Sequence, residues 1–162
     1  MSARDNDTAV QHLARPRSRA RTWSLAQRPG FLIRRLHQIH VALFNRHCAA
    51  FGMTPLQYSL LDALAQRGEA DQTTLADDVS LDLTTTAGAL RRMEARDLIR
   101  RTVHTGDRRA RLCVCTEVGM SLLEAMEAPV RVAHDATLAT LDRTERKQFI
   151  SLLQRMIADA TT

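Results

Sequence analysis

A chain of 162 residues with a formal net charge of +5, a pI near 10.0 and 44% hydrophobic residues is one domain's worth of sequence, with apolar side chains for a single core. Lys147 is its lone lysine, so the positive charge is arginine, whose planar fork suits phosphate and narrow DNA grooves. No apolar run reaches the length of a membrane span, no signal-peptide core opens the chain, and Cys48, Cys113 and Cys115 do not suggest a disulfide framework, so a cytoplasmic protein is expected.

Residues 1–29 stand apart in composition, with Arg4, Arg15, Arg17, Arg19, Arg21 and Arg28 against Asp5 and Asp7 and few apolar side chains. They read as a flexible arm, either a DNA-tracking tail or a solubilising leader. Trp23, beside Leu25, is expected to anchor that arm on the body. A single folded domain, 30–162, then begins at Pro29-Gly30 with a helix from Phe31 to about Ala50. Leu32, Leu36, Ile39 and Leu43 form one stripe, and Ile33, His37, His40 and Phe44 a neighbouring one, an arc too wide to be covered from one side. Thr54-Pro55 supplies an N-cap and a first-turn proline for a second helix ending near Gly68, with Leu56, Leu60, Leu61 and Leu64 inward.

The stretch from Gln72 to Thr116 has the order of a winged helix-turn-helix. A short helix, Thr73–Val79, is followed by the turn Ser80-Leu81-Asp82 and a second helix from Leu83 to about Arg96. In that second helix Leu83, Ala87, Leu90 and Glu94 fall near one face with Met93 beside them. Two β-rich runs, 98–103 and 111–116, flank a loop whose Gly106-Asp107 pair signals a hairpin. Thr116 can cap a long helix from Glu117 to about Leu141, in which Pro129 is expected to produce a kink. Asp142 with Glu145 resembles a capping box for a terminal helix bearing Phe149, Leu152, Leu153 and Met156. The expected fold is mainly α with a small β-hairpin wing: a winged helix-turn-helix lobe at about 54–116 between dimerisation helices at about 31–50 and 117–160. The apolar faces of those outer helices are too broad for one chain to cover, which predicts a homodimer.

The second helix of the lobe needs a face turned away from its apolar side, and Thr84, Thr85, Gly88, Arg91 and Arg92 provide it. Short hydroxyls can approach base edges, Gly88 lets the backbone come close, and arginine can fork onto guanine or phosphate. The loop adds Arg108, Arg109 and Arg111 with Asp107 as the nearby acid, so double-stranded DNA is the expected partner. There is no Walker loop, dinucleotide glycine fingerprint, nucleophile elbow or HExxH helix, so neither an enzyme nor a cofactor is expected. Two side chemistries stay open. His37, His40, His47 and Cys48 crowd one helix and could sense zinc, and Cys48, beside Arg46 and His47, could sense oxidants. Cys113 and Cys115, two residues apart on one strand, have poor geometry for a disulfide.

The wing run Asp107-Arg108-Arg109-Ala110-Arg111-Leu112, followed by Thr116-Glu117-Val118-Gly119, closely resembles the signature of the MarR family of bacterial repressors, and the resemblance extends from about Phe31 to Ala158. It implies that Asp107 orients the wing, that Arg109 enters the minor groove, and that the first and last helices interlock with a second subunit. It also implies a pocket between the dimer helices and the DNA-binding lobe, which would make Arg34, Arg35, His37, His40 and Tyr58 candidate walls. Such groups could hold a carboxylate and a phenolic hydroxyl. The function so implied is a repressor released from a pseudo-palindromic operator by a small anionic aromatic metabolite. The alternatives are a zinc- or oxidant-responsive repressor of the same fold, or an architectural protein that compacts DNA through its arm. Two residues depart from the family pattern: Asp97 replaces a glycine at the end of the recognition helix, and Cys115 replaces a leucine.

Overall fold

Local capping chemistry sets the outer elements of the computed structural model, which describes residues 23–103 and 111–160. Helix α1 (Pro29–His47) takes Pro29 into its first turn, where a missing N–H breaks no helical hydrogen bond, and so starts two residues before Phe31. A 3-10 turn, Ala49–Phe51, follows and closes at Gly52 with φ +59°. Helix α2 (Pro55–Arg67) opens with a reciprocal box: Gln57 N donates to Thr54 Oγ1 at 3.2 Å, and Thr54 N donates to Gln57 Oε1 at 3.1 Å. Its inward face buries Leu60, Leu61 and Leu64, and it ends before Gly68.

Strand β1 (Glu69–Asp71) was not expected, because three residues carry no readable alternation. It forms the edge of an antiparallel sheet of order β1-β3-β2, beside β2 (Ile99–Val103) and β3 (Arg111–Cys115). Ile99 lies opposite Cys115 and Val103 opposite Arg111, while Ala70 lies opposite Cys113. The sheet thus has three strands rather than the two read from sequence.

Helices α3 (Gln72–Asp78) and α4 (Leu83–Glu94) form the helix-turn-helix. The side of α4 that packs inward consists of Thr86, Ala89, Leu90 and Met93, all fully buried. This corrects the expected stripe: Leu83 is 50% exposed and Glu94 is exposed, because the buried side of α4 is centred on Thr86, Ala89 and Met93, roughly a quarter turn around the helix from the row that Leu83 and Glu94 share.

Helix α5 (Glu117–Thr137) runs unbroken through Pro129 and stops four residues short of Leu141, where Leu141 N closes a turn on Leu138 O at 3.0 Å. Helix α6 (Arg143–Ala160) opens on the expected box: Glu145 N donates to Asp142 Oδ1 and Asp142 N to Glu145 Oε2, each at 2.9 Å. Arg146 ties α6 back through Leu141 O and Asp135. The core joins Phe44 of α1, the leucines of α2, Leu75, Leu90, Met93 and Met126, with α1 and α5 packed side by side. Leu32 and Ile39 on α1, and Ile150, Leu152 and Met156 on α6, stay about half exposed.

Candidate nucleic-acid interface and inter-lobe cleft

Both helices of the helix-turn-helix are capped by an aspartate. Thr74 N donates to Asp71 Oδ1 at 2.8 Å, and Thr85 N donates to Asp82 Oδ1 at 2.8 Å. These bonds hold both carboxyls below the usual range, Asp82 chiefly through the Thr85 hydroxyl and Asp71 chiefly through Thr74 N–H. Thr85 Oγ1 spends its hydrogen on Asp82 Oδ2 at 2.6 Å, so toward a base it presents only lone pairs. Thr84, Thr85, Arg91 and Arg92 are exposed, and Gly88 lies between them with open room, its nearest neighbour being the far end of Arg92.

Both helices also end in the same way. Leu81 N donates to Ala76 O at 2.9 Å and Ser80 N to Asp77 O at 3.1 Å; Leu98 N donates to Met93 O at 3.0 Å and Asp97 N to Glu94 O at 2.9 Å. Each pair is a Schellman closure, with Ser80 (φ +54°) and Asp97 (φ +55°) in the left-handed position that favours glycine. Asp97 therefore ends α4 in the conformation that a glycine would adopt there. Beyond α4, Arg96 reaches the main chain before α2, donating to Gly52 O at 2.8 Å and Phe51 O at 2.9 Å. Sequence reading missed this residue because its partners lie 44 and 45 positions away.

Of the wing residues, Arg111 stands exposed at the start of β3. Asp107, Arg108 and Arg109 lie outside the described residues.

A cleft of about 830 Å³ separates the α1–α5 layer from the lobe. His40 and His134 line it from one side, and Tyr58, Arg67, Asp78 and Ser80 from the other. Arg67 and Asp78 meet there as a two-point fork, Nη2 to Oδ1 at 2.7 Å and Nε to Oδ2, joining the end of α2 to the end of α3. His40 stacks on His134, ring centroids 4.7 Å apart. Its Nδ1 lies 2.9 Å from Thr137 Oγ1, and that hydroxyl already donates to Ala133 O at 2.8 Å. His40 must therefore donate through Nδ1, which leaves Nε2 as an acceptor. Burial, then the neighbouring His134 and His37, hold the His40 pKa below its ordinary value.

The expected effector residues divide. His40 and Tyr58 line the cleft. Arg35 and His37 line a separate, mostly apolar groove of about 930 Å³ between α1, α5 and α6, which His40 and His134 also border. Arg34 lines neither, and its guanidinium lies over the Phe31 ring at 5.7 Å. On a helix turning about 100° per residue, Arg34 and Arg35 both point more than a quarter turn away from His40, and neither reaches the cleft. Arg67, Asp78 and His134, which sequence reading missed, come from three other helices and no local motif marks them.

The side chemistries find little support in this geometry. Among the described residues no group of three His, Cys, Asp or Glu is arranged to hold a metal ion. Cys48 is 1% exposed and burial pushes its thiol up; burial, then Cys113, pushes the Cys115 thiol up to about 11. Trp23 is exposed and its described contacts are local, with Arg28 5.1 Å above its ring, so anchorage on the body is not seen. No helix among the described residues is long and apolar enough to cross a membrane.

Comparison with known proteins matches this architecture. Residues 53–110 match the MarR family. The HTH-type transcriptional repressor NicR of Pseudomonas putida is 30% identical over 83% of this chain and 85% of its own. A structure of Bordetella bronchiseptica BpsR, whose DNA binding is regulated by 6-hydroxynicotinic acid, is 28% identical and superposes with a TM-score of 0.79 over 83% of this chain and 96% of that one. The PcaV transcriptional regulator of Streptomyces coelicolor, solved with its natural ligand, is 30% identical with a TM-score of 0.77 over 88% and 99% of the two chains. This chain belongs to the MarR family of winged helix-turn-helix transcriptional regulators.

Proposed function

We propose that this regulator is a homodimeric repressor that leaves a pseudo-palindromic operator when a small aromatic acid fills the cleft between its α1–α5 layer and its DNA-reading lobe. The observation that carries the reading is the lining of that cleft. One wall offers the His40 Nε2 lone pair and the other offers the Tyr58 hydroxyl and the Arg67 fork. His40 suits a ring hydroxyl or ring N–H, and Arg67 suits a carboxylate that competes with Asp78. Because the walls belong to different layers, a ligand held by both fixes their separation, and release follows if that separation misses successive major grooves. The exposed apolar side chains of α1 and α6 support the dimer, since a surface of this kind calls for a partner. Thr84, Thr85, Gly88, Arg91 and Arg92 are proposed to face the bases and phosphates, and Asp107, Arg108, Arg109 and Arg111 to form the wing contact.

The test is a panel of 6-hydroxynicotinate, hydroxybenzoates, hydroxycinnamates and benzoate, read by thermal stabilisation and by operator release. At least one acid should raise the melting temperature and weaken operator binding by about 5–150-fold, the usual span of allosteric coupling. His40→Ala and Arg67→Gln should blunt both effects, with Arg34→Ala and Arg35→Ala as comparisons. If no aromatic acid stabilises the protein, while zinc or peroxide abolishes DNA binding, the reading fails.

A further inference from the structure

We propose that Leu83 is a specificity-determining residue of the recognition helix, seating its side chain against the 5-methyl group of a thymine in each half-site. Leucines of the two short helices differ in burial. Leu75 and Leu90 are completely buried, whereas Leu83, the first residue of α4, leaves half of its surface in solvent. Its position is nonetheless fixed: Asp82 caps the helix directly before it, and Gln72 Nε2 donates to Leu83 O at 3.2 Å.

Helical geometry places Leu83 on the flank of α4, between its inward face and the side proposed to meet DNA. The inward face runs through Thr86, Ala89, Leu90 and Met93. Leu83, Ala87 and Arg91 follow one another at four-residue steps along an adjoining row, and Thr84, Gly88 and Arg92 form the next. The N-terminal turn of a recognition helix contacts base edges, so Leu83 and Thr84 enter first. A lone exposed leucine elsewhere on a surface needs no explanation, but one at this end of this helix loses its water when the groove closes on it. It has no donor or acceptor for a phosphate or a polar base edge. The thymine methyl is the apolar group that the major groove presents.

The experiment uses the full chain and a duplex selected from a randomised pool for tight binding. Each thymine of the half-site is replaced in turn by uracil, which removes only the methyl, and dissociation constants are measured for wild type, Leu83→Ala and Leu83→Met. At one thymine per half-site uracil should weaken wild-type and Leu83→Met binding by about fourfold, the worth of one buried methylene-sized group. Leu83→Ala should bind the thymine and uracil duplexes alike. The inference is overturned if every uracil substitution affects all three proteins equally, or if Leu83→Ala loses affinity uniformly for selected and unrelated duplexes. Melting curves of the free proteins, expected to coincide because Leu83 lies outside the core, separate lost contact from lost fold.

Discussion

Gly119 stands so close to the carbonyl of Leu98 that a Cβ on it would lie 2.1 Å from the Leu98 oxygen and 3.4 Å from Leu61 Cδ1. Leu98 O also accepts from Thr116 N at 3.1 Å, while Thr116 Oγ1 accepts from Gly119 N at 3.0 Å and donates to Asp97 O. The first turn of α5 is thereby held on Asp97 and Leu98, in the link between α4 and β2. Gly119→Ala is expected to destabilise the protein by about 1–3 kcal/mol or more, since backbone rather than a flexible side chain must yield. Urea unfolding with an unchanged denaturant slope would measure it; an unchanged midpoint would show that the junction can open without loss.

Ser80 and Asp97 hold left-handed backbone at the ends of α3 and α4. Replacing either with glycine relieves the Cβ–carbonyl contact of that conformation, so each change should stabilise by up to about 1 kcal/mol. Asp97→Ala should do the reverse, because alanine adopts left-handed backbone less readily than aspartate. Thermal melting of the three variants decides the point, and a destabilising Asp97→Gly would count against the cap geometry.

Arg96 joins the end of the recognition helix to the Phe51 and Gly52 carbonyls. Its exposure to water discounts these charged hydrogen bonds, and Arg96→Ala should cost about 1 kcal/mol of stability. Operator affinity should fall as well, because α4 loses a tie to the segment that follows α1. Lysine, with one ammonium group, should restore stability only in part. Unaltered affinity in Arg96→Ala would show that the packing of Leu90 and Met93 alone sets the helix.

The His40 pKa is depressed in the folded protein, first by burial and then by His134 and His37. The unfolded chain then binds more protons just below the ordinary histidine pKa of about 6.5, so the stability contribution is complete above that value and is lost as the pH falls through it. Wild-type melting temperature should decline from about pH 7 downward, and the decline should be shallower in His40→Gln. Parallel pH profiles for the two proteins would place the titration elsewhere.

Arg109 and Arg91 are expected to separate positioning from reading. Arg109→Ala should weaken binding to most sequences and lower the salt slope by about one, while Arg91→Ala should relax discrimination at particular base pairs by about 1–3 kcal/mol. Competition titrations across salt concentrations measure both. An Arg109→Ala protein with unchanged affinity and slope would remove the wing from the interface.

What was legible in the sequence rests on interactions within a few residues. The Thr54–Pro55 helix start, the Asp142–Glu145 box, the two short helices around Ser80, the strands of the wing and the Thr116 cap each depend on neighbours close in the chain, and the structure has all of them. The strands and wing signature also placed the chain in its family. Where local signals ran short, so did the reading: β1 is too brief to alternate, and it exists because Ala70 finds Cys113 across the sheet.

The partners of His40 and Arg67 in the cleft and the exposure of Leu83 were decided by tertiary structure alone. His40 acquires its tautomer from Thr137, 97 positions away, and its stack from His134; Arg67 meets Asp78 only because α2 and α3 end side by side. Leu83 had the right period for a buried stripe, yet it is exposed, because periodicity says which residues share a helix face but not which of two neighbouring faces the rest of the chain covers. The physical reason is common to these cases. Hydrogen bonds and burial depend on which surfaces meet, and those surfaces come from segments far apart in the chain.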